Sequence, residues 1–322
     1  MTSIHIASAA PTWTARQFHV LPEHSHQHRF LVDLWDAVRT ETAGRLDVRV
    51  HAQNDGRSDA GGPDAYDMLI SGELEFYTLN GNAIGKHVPP AEIQGVPYAF
   101  ETSADVHRAN DCELGAYITA ECAAKGIHRF QRGLLENGFR QTFMFAKPIR
   151  TVDDLAGQKI RTPHADMIRD TMASLGAEPV IVNILKIREA LEARRVDGHE
   201  NPLIVMDVGG FEKLTPFVSI TRHMWTGFNL IANLAFWNRL PANVQAIVDR
   251  NVTKHVAAQR AYTIDMNERL PDILTARGAT VTRADLANFR QTLRANGFYA
   301  RWKAQLGEKA WSLLEDAAGP VG

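Results

Sequence analysis

The chain has 322 residues, enough for two modest domains that each bury their own core. Hydrophobic residues make up 45% and charged residues 22%, the balance of an ordinary globular protein. A formal charge of -2 gives no global field to recruit nucleic acid or an anionic membrane, so an anionic ligand would have to be attracted by local residues.

No run approaches the eighteen or so apolar residues that span a bilayer. Met1 to Ala15 lacks a basic start and a long apolar stretch, so no complete signal peptide is read there. The small residues from Ile6 to Ala15 fit the tail of an export signal or a disordered leader, and residues 1–16 are set aside as that segment.

Short strands then alternate with amphipathic helices, the pattern of an α/β protein. Gln17 to Leu21 reads as the opening strand. Phe30, Leu31, Leu34, Trp35 and Val38 mark one helix face, ending at Gly44, and Asp47 to Ala52 alternates as a second strand. A helix from Asp64 to Ser71, a strand from Glu75 to Leu79, a short apolar segment from Ile93 to Tyr98 and a mainly helical stretch from Ala104 to Lys125 follow. Cys112 and Cys122 lie in that stretch; one unbroken helix would hold them about 15 Å apart, so free thiols are expected.

A second unit opens near Phe139. Strands are predicted at Phe139 to Phe145, Lys159 to Thr162 and Pro179 to Asn183, and helices at Ala165 to Leu175 and Leu185 to Ala193. Val218 to Trp225 and Asn229 to Phe236 read as two strands parted by Gly227. After Pro241, apolar residues Val244, Ile247, Val248, Val252 and Val256 recur at helical spacing with no strong breaker before Pro271. That is about 30 residues, or about 45 Å, long enough to brace two lobes.

Three clusters could carry chemistry. Arg140 alternates with apolar neighbours near a strand start, and Arg161 precedes the proline that ends its strand. Carboxyl ends of strands in open α/β sheets border ligand crevices, and a guanidinium matches a carboxylate with two parallel hydrogen bonds. Taken alone, an arginine at a strand end is more often a structural ion pair. In Val196-Asp197-Gly198-His199-Glu200-Asn201-Pro202 a tight bend would present Glu200 and Asn201 at a loop tip, or Asn201 would cap a helix. His24, His26 and His28 alternate, as metal ligands on an extended backbone would, but Ser25 is a natural helix cap and the rings would then diverge. No metal site is expected. Nor is there a G-x-S-x-G elbow, a phosphate-binding loop, an H-E-x-x-H helix or a G-x-G-x-x-G turn.

Five segments in order carry a resemblance. They are Glu136 to Gln141 (E-N-G-F-R-Q), Lys147 to Pro163 (K-P-I-R-T-V-D-D-L-A-G-Q-K-I-R-T-P), Leu175 to Val180 (L-G-A-E-P-V), Val196 to Pro202, and Phe236 to Pro241 (F-W-N-R-L-P). Together they are similar to the DctP-like family, the periplasmic solute-binding proteins of tripartite ATP-independent periplasmic (TRAP) transporters, over about residues 17 to 310. His199, where glutamine is common, and the altered Phe211-Glu212-Lys213-Leu214 are departures. The resemblance implies two α/β lobes closing over a cleft, with crossing strands and a long helix joining them. Lobe I would comprise residues 17–137 and 227–266, and lobe II residues 138–226 and 267–318.

It further implies that Arg161 clamps the carboxylate of a small organic acid, with Arg140 a second contact and Asn201 an orienting one. Asn137, Trp225, Phe228, Tyr77 and His24 complete the expected ligand-contacting set, whereas Phe76 is read as core. The expected partners are the ligand and the TRAP permease subunits. The chain would be a periplasmic monomer without cofactor, catalytic activity, nucleic acid or membrane insertion. A ligand sensor for a receptor, or a metal-dependent enzyme built on the His24–His28 loop, are the competing readings.

Overall fold

Nine strands form one sheet in the computed structural model, which describes residues 12–53 and 63–322. In chain order they are β1 (Trp13–Phe18), β2 (Leu46–His51), β3 (Phe76–Asn80), β4 (Ile127–Met144), β5 (Lys159–Thr162), β6 (Glu178–Ile181), β7 (Gly198–Pro202), β8 (Phe217–Asn233) and β9 (Thr280–Arg283). The order across the sheet is β2-β1-β3-β8-β4-β7-β5-β6, with β9 added to β8. Strands β1, β2 and β3 run parallel in one half, and β5, β6 and β7 in the other.

The two halves are joined by β4 and β8, antiparallel partners of 18 and 17 residues. At about 3.3 Å per residue each spans on the order of 60 Å, more than one lobe needs, so both strands belong to both lobes. Their pairing slips at Arg129/Leu134, Glu136/Gly138 and Arg140/Thr142, and such bulges bend and twist the crossing. Gly138 sits at one slip with φ of 110°, and a Cβ there would lie 2.5 Å from Asn267 Nδ2. Only glycine meets both conditions.

The helix Ala242–Ala276 packs along the crossing strand β4. Its Val244, Val248, Val252 and Val256 enter the core under β1 and β2, while Leu270 and Leu274 enter the core around Phe143 and Ile204 of the other half. The long amphipathic helix expected from sequence is thus a brace between two lobes. It does not stop at Pro271, however. Leu270 and Leu274 are fully buried on either side of that proline, and their packing carries the helix past the lost backbone bond.

Other boundaries also move. The first strand starts at Trp13, not Gln17, because its register with Leu46 to His51 places Trp13 opposite Leu46; residues 13–16 therefore belong to the sheet, and residues 1–11 of the supposed leader lie outside the described residues. The strand expected from Val218 runs through Gly227 without a break, since Gly227 pairs with Glu136. The helical stretch from Ala104 divides at Cys112, whose thiol is exposed and free, while Cys122 is buried and free. The Gly198 to Pro202 segment is not a loop tip. It is β7, fully buried between β4 and β5.

Candidate ligand-binding cleft

The cleft opens where the parallel strands of each half end against the crossing strands. Arg161 is the penultimate residue of β5, and Asn183 follows the end of β6. From the other half come Asn80, at the end of β3, and Val20 and Leu21, just after β1. The crossing strands contribute Asn137, Arg140, Thr226 and Phe228, and β7 contributes Asn201. These side chains line a small hollow of about 70 Å³ that is partly open to solvent.

Arg161 is 1% exposed and donates through Nε to the Val182 carbonyl at 2.8 Å, while its Nη2 is buried without a hydrogen-bond partner. Burial pulls its pKa down to about 9; Glu200 opposes that pull and Arg140 adds to it. The guanidinium stays charged at neutral pH, and nothing among the described residues is bonded to Nη2. A buried cation so placed calls for an anion.

Arg140 behaves differently. Thr142 pairs directly with Glu200 across β4 and β7, so Arg140, two residues earlier, shares Glu200's face and meets it on the diagonal. Its Nε donates to Glu200 Oε2, and its Nη2 to Glu200 Oε1 at 2.7 Å and to the Glu200 carbonyl at 3.0 Å. His223 closes the network, with Nε2 3.4 Å from Glu200 Oε2 and Nδ1 2.9 Å from Thr221 Oγ1. Burial opposes ionisation of Glu200, but Arg140 and His223 outweigh it and hold its carboxyl at about 2. Arg140, the expected second carboxylate contact, thus has its charge already met by the protein's own carboxylate. It still reaches the cleft wall, where Nη1 lies 3.4 Å from Thr226 Oγ1.

Asn201 is held from behind. Its Nδ2 lies 3.1 Å from His199 Nδ1, and His199 Nε2 lies 3.2 Å from Thr215 Oγ1. His199 stacks on Phe143, its partner in the strand register, at 4.7 Å. Burial drives the His199 pKa down to about 3, so the ring is neutral. With Thr215 taking its Nε2 proton, Nδ1 accepts from Asn201 and fixes which way the amide faces.

Three of the expected contacts lie elsewhere. Trp225 is 1% exposed and donates its indole N–H to Glu136 at 2.8 Å, on the core side of β8. Alternation puts Thr226 and Phe228 on the cleft side instead. Tyr77 is fully buried in the core of the first half, as is Phe76. His24 is exposed and outside the cleft lining, its Nε2 3.3 Å from the Val208 carbonyl of the opposite lobe.

The other histidines of that loop turn away. His26 stacks on Tyr262 of the long helix at 6.0 Å, and His28 Nδ1 meets His19 Nε2 at 2.9 Å. Ser25 caps the helix His26–Glu41, so the rings diverge around its first turn. Among the described residues no three histidine, cysteine or acidic side chains converge as a metal would require.

Sequence reasoning missed Asn80, Asn183, Thr226 and the Arg140–Glu200 pairing. The strand-end rule that singled out Arg161 also picks out Asn80 and Asn183. The pairing leaves no local mark, because its partners are 60 residues apart.

The fold and sequence have clear counterparts. A solute-binding protein from Roseobacter denitrificans solved with bound β-D-glucuronate superimposes with a TM-score of 0.88 at 22% identity, covering 96% of this chain and 100% of its own. The sugar acid binding protein of Advenella mimigardefordensis, solved with galactonate, gives 0.87 at 22% identity, covering 96% and 99%. Among curated relatives, the C4-dicarboxylate-binding periplasmic protein of Rhodobacter capsulatus is 26% identical over 241 residues, 74% of this chain and 70% of that protein. The model of the family described as bacterial extracellular solute-binding protein, family 7 (DctP) matches residues 18–300. With its two lobes, braced crossing strands and interlobe cleft, this chain belongs to that family of extracellular solute-binding proteins.

Proposed function

We propose that the protein captures a small organic acid in the periplasm, through its carboxylate, and presents it to a TRAP-type permease. The observation that carries this reading is Arg161: a buried, charged guanidinium on the cleft wall with Nη2 unpartnered. A carboxylate there forms a charge-assisted bond and relieves an uncompensated buried charge together. Asn201, held by His199, orients the group, and Phe228 with Val205 and Ile184 offers apolar surface to the rest of the ligand. The relatives named above bind a C4-dicarboxylate, glucuronate and galactonate, all carboxylates, which supports the same chemistry here.

Each lobe supplies part of the wall, so a ligand touching both favours the closed arrangement by differential contact. The His24 contact to Val208 joins the two lobes in that arrangement. Affinity from micromolar to nanomolar corresponds to about -8 to -12 kcal/mol. The protein binds as a monomer and performs no chemistry on its ligand.

Titration calorimetry with organic acids and their uncharged carboxamides tests this directly. The acids are expected to bind and the amides to fail; equal binding of both sinks the carboxylate clamp. Ligand-dependent uptake in vesicles carrying the partner permease tests the delivery role.

A further inference from the structure

The cleft wall contains a second orphaned polar atom, of opposite character to the first. Asn137 is 4% exposed, lines the cleft, and its side-chain carbonyl oxygen is buried with no hydrogen-bond partner. The residue cannot easily turn away. Its backbone carbonyl accepts from Asn267 Nδ2 of the long helix at 3.1 Å, and the following Gly138 is locked at its bulge against the same side chain. Arg161 Nη2 is thus a buried donor lacking an acceptor, and Asn137 Oδ1 a buried acceptor lacking a donor. A buried polar group left in this state is costly, and a ligand that pairs with it relieves that cost.

An ionised carboxylate only accepts hydrogen bonds, so it satisfies Arg161 and never Asn137; a hydroxyl group can donate to Asn137. The charges agree. Among the described residues of the wall, Arg140 is neutralised by Glu200 and Arg161 is the uncompensated guanidinium, enough for a single carboxylate. Asn80 uses its side-chain oxygen to cap Ala83 at 2.7 Å, which leaves its amide nitrogen to donate to a hydroxyl oxygen.

We infer that Asn137 reads a hydroxyl donor on the ligand, so that the cleft selects hydroxylated monocarboxylates over dicarboxylates and over acids without hydroxyl groups. This rests on the carboxylate reading above and narrows it to a substrate class, with Asn137 as the residue that sets it.

Calorimetric titration of matched acids tests it. Lactate, gluconate, galactonate and glucuronate supply hydroxyl groups and one charge. Propionate and hexanoate lack the hydroxyls, and succinate and adipate lack them and add a charge. At least one hydroxylated monocarboxylate is expected to bind about tenfold to a hundredfold more tightly than every acid of the other two groups. Asn137→Leu is expected to erase that margin while hexanoate binding holds or improves. Bare or dicarboxylic acids binding as well as the hydroxy acids overturn the inference but leave the carboxylate reading standing. Binding by none of the acids overturns both. A hydroxy-acid margin that survives in a folded Asn137→Leu protein removes Asn137 from the role. The wild-type comparison stands whether or not the variant folds.

Discussion

Replacing Arg161 with methionine should abolish acid binding and yet stabilise the ligand-free protein. Methionine keeps an unbranched stem in the same slot and removes the charge. Burial lowers the Arg161 pKa from 12.5 to about 9, which corresponds to about 5 kcal/mol of penalty for holding the cation there. Against that, the Val182 carbonyl loses the donor that now reaches it at 2.8 Å, at a cost of about 1–3 kcal/mol. A net gain of about 2–4 kcal/mol remains. For a chain of this length that is a rise in melting temperature of about 3–6 °C. Urea unfolding of ligand-free wild type and Arg161→Met, each repeated with a bound acid at a hundred times its Kd, gives the comparison. Wild type should gain about 2.7 kcal/mol from the acid and the variant nothing. A ligand-free variant less stable than wild type would mean that Arg161 is a structural tie. A variant that still responds to the acid would place the clamp on another residue.

Breaking the neighbouring pair should have the opposite sign. Glu200→Gln leaves Arg140 buried without its carboxylate and should destabilise by about 3–5 kcal/mol, while Arg140→Leu combined with Glu200→Leu should be much milder; a double-mutant cycle in chemical denaturation reads the difference. Acid should weaken the fold before carboxylates titrate. His19 and His199 are fully buried and neutral with pKa values near 3, below the unfolded 6.5, so their stabilisation is complete above pH 6.5 and declines as pH falls toward about 3. At pH 5 the loss is about 2 kcal/mol per ring, and His199→Gln, which can still accept from Asn201 and donate to Thr215, should flatten the melting-temperature profile between pH 6.5 and 5 without losing ligand. Glu92 runs the other way: burial raises its pKa to about 7, so ionising it at pH 8 costs about 3 kcal/mol. Glu92→Gln should therefore raise the melting temperature at pH 8 by about 4 °C and change little at pH 4.5.

Arg161 could be placed at a strand end from the chain alone because the feature that puts it there is local, whereas only the family resemblance singles out Asn201. A strand that ends at Pro163 puts Arg161 at its carboxyl edge, and the ordered segments around both residues resemble one family. The long helix could be read for the same reason, since its valines repeat within a few turns. What Arg140 does was not legible, because Glu200 reaches it only when β7 is laid antiparallel beside β4.

The same limit explains the segment around Glu200. Gly198 and Pro202 are turn formers by local preference, but β4 on one side and β5 on the other supply every backbone partner, and the segment becomes a buried strand. Residue type alone points to Trp225 and Tyr77 as ligand contacts, but their facing is set by the strand alternation and by Glu136, which takes the Trp225 indole. Periodicity and residue chemistry, which act within a few positions of the chain, thus determined the α/β alternation, the bracing helix and the strand-end arginine. Which arginine is free, which amide oxygen lacks a donor and which aromatic faces the cleft were decided by pairing between distant strands, because burial and charge compensation arise only when those strands meet.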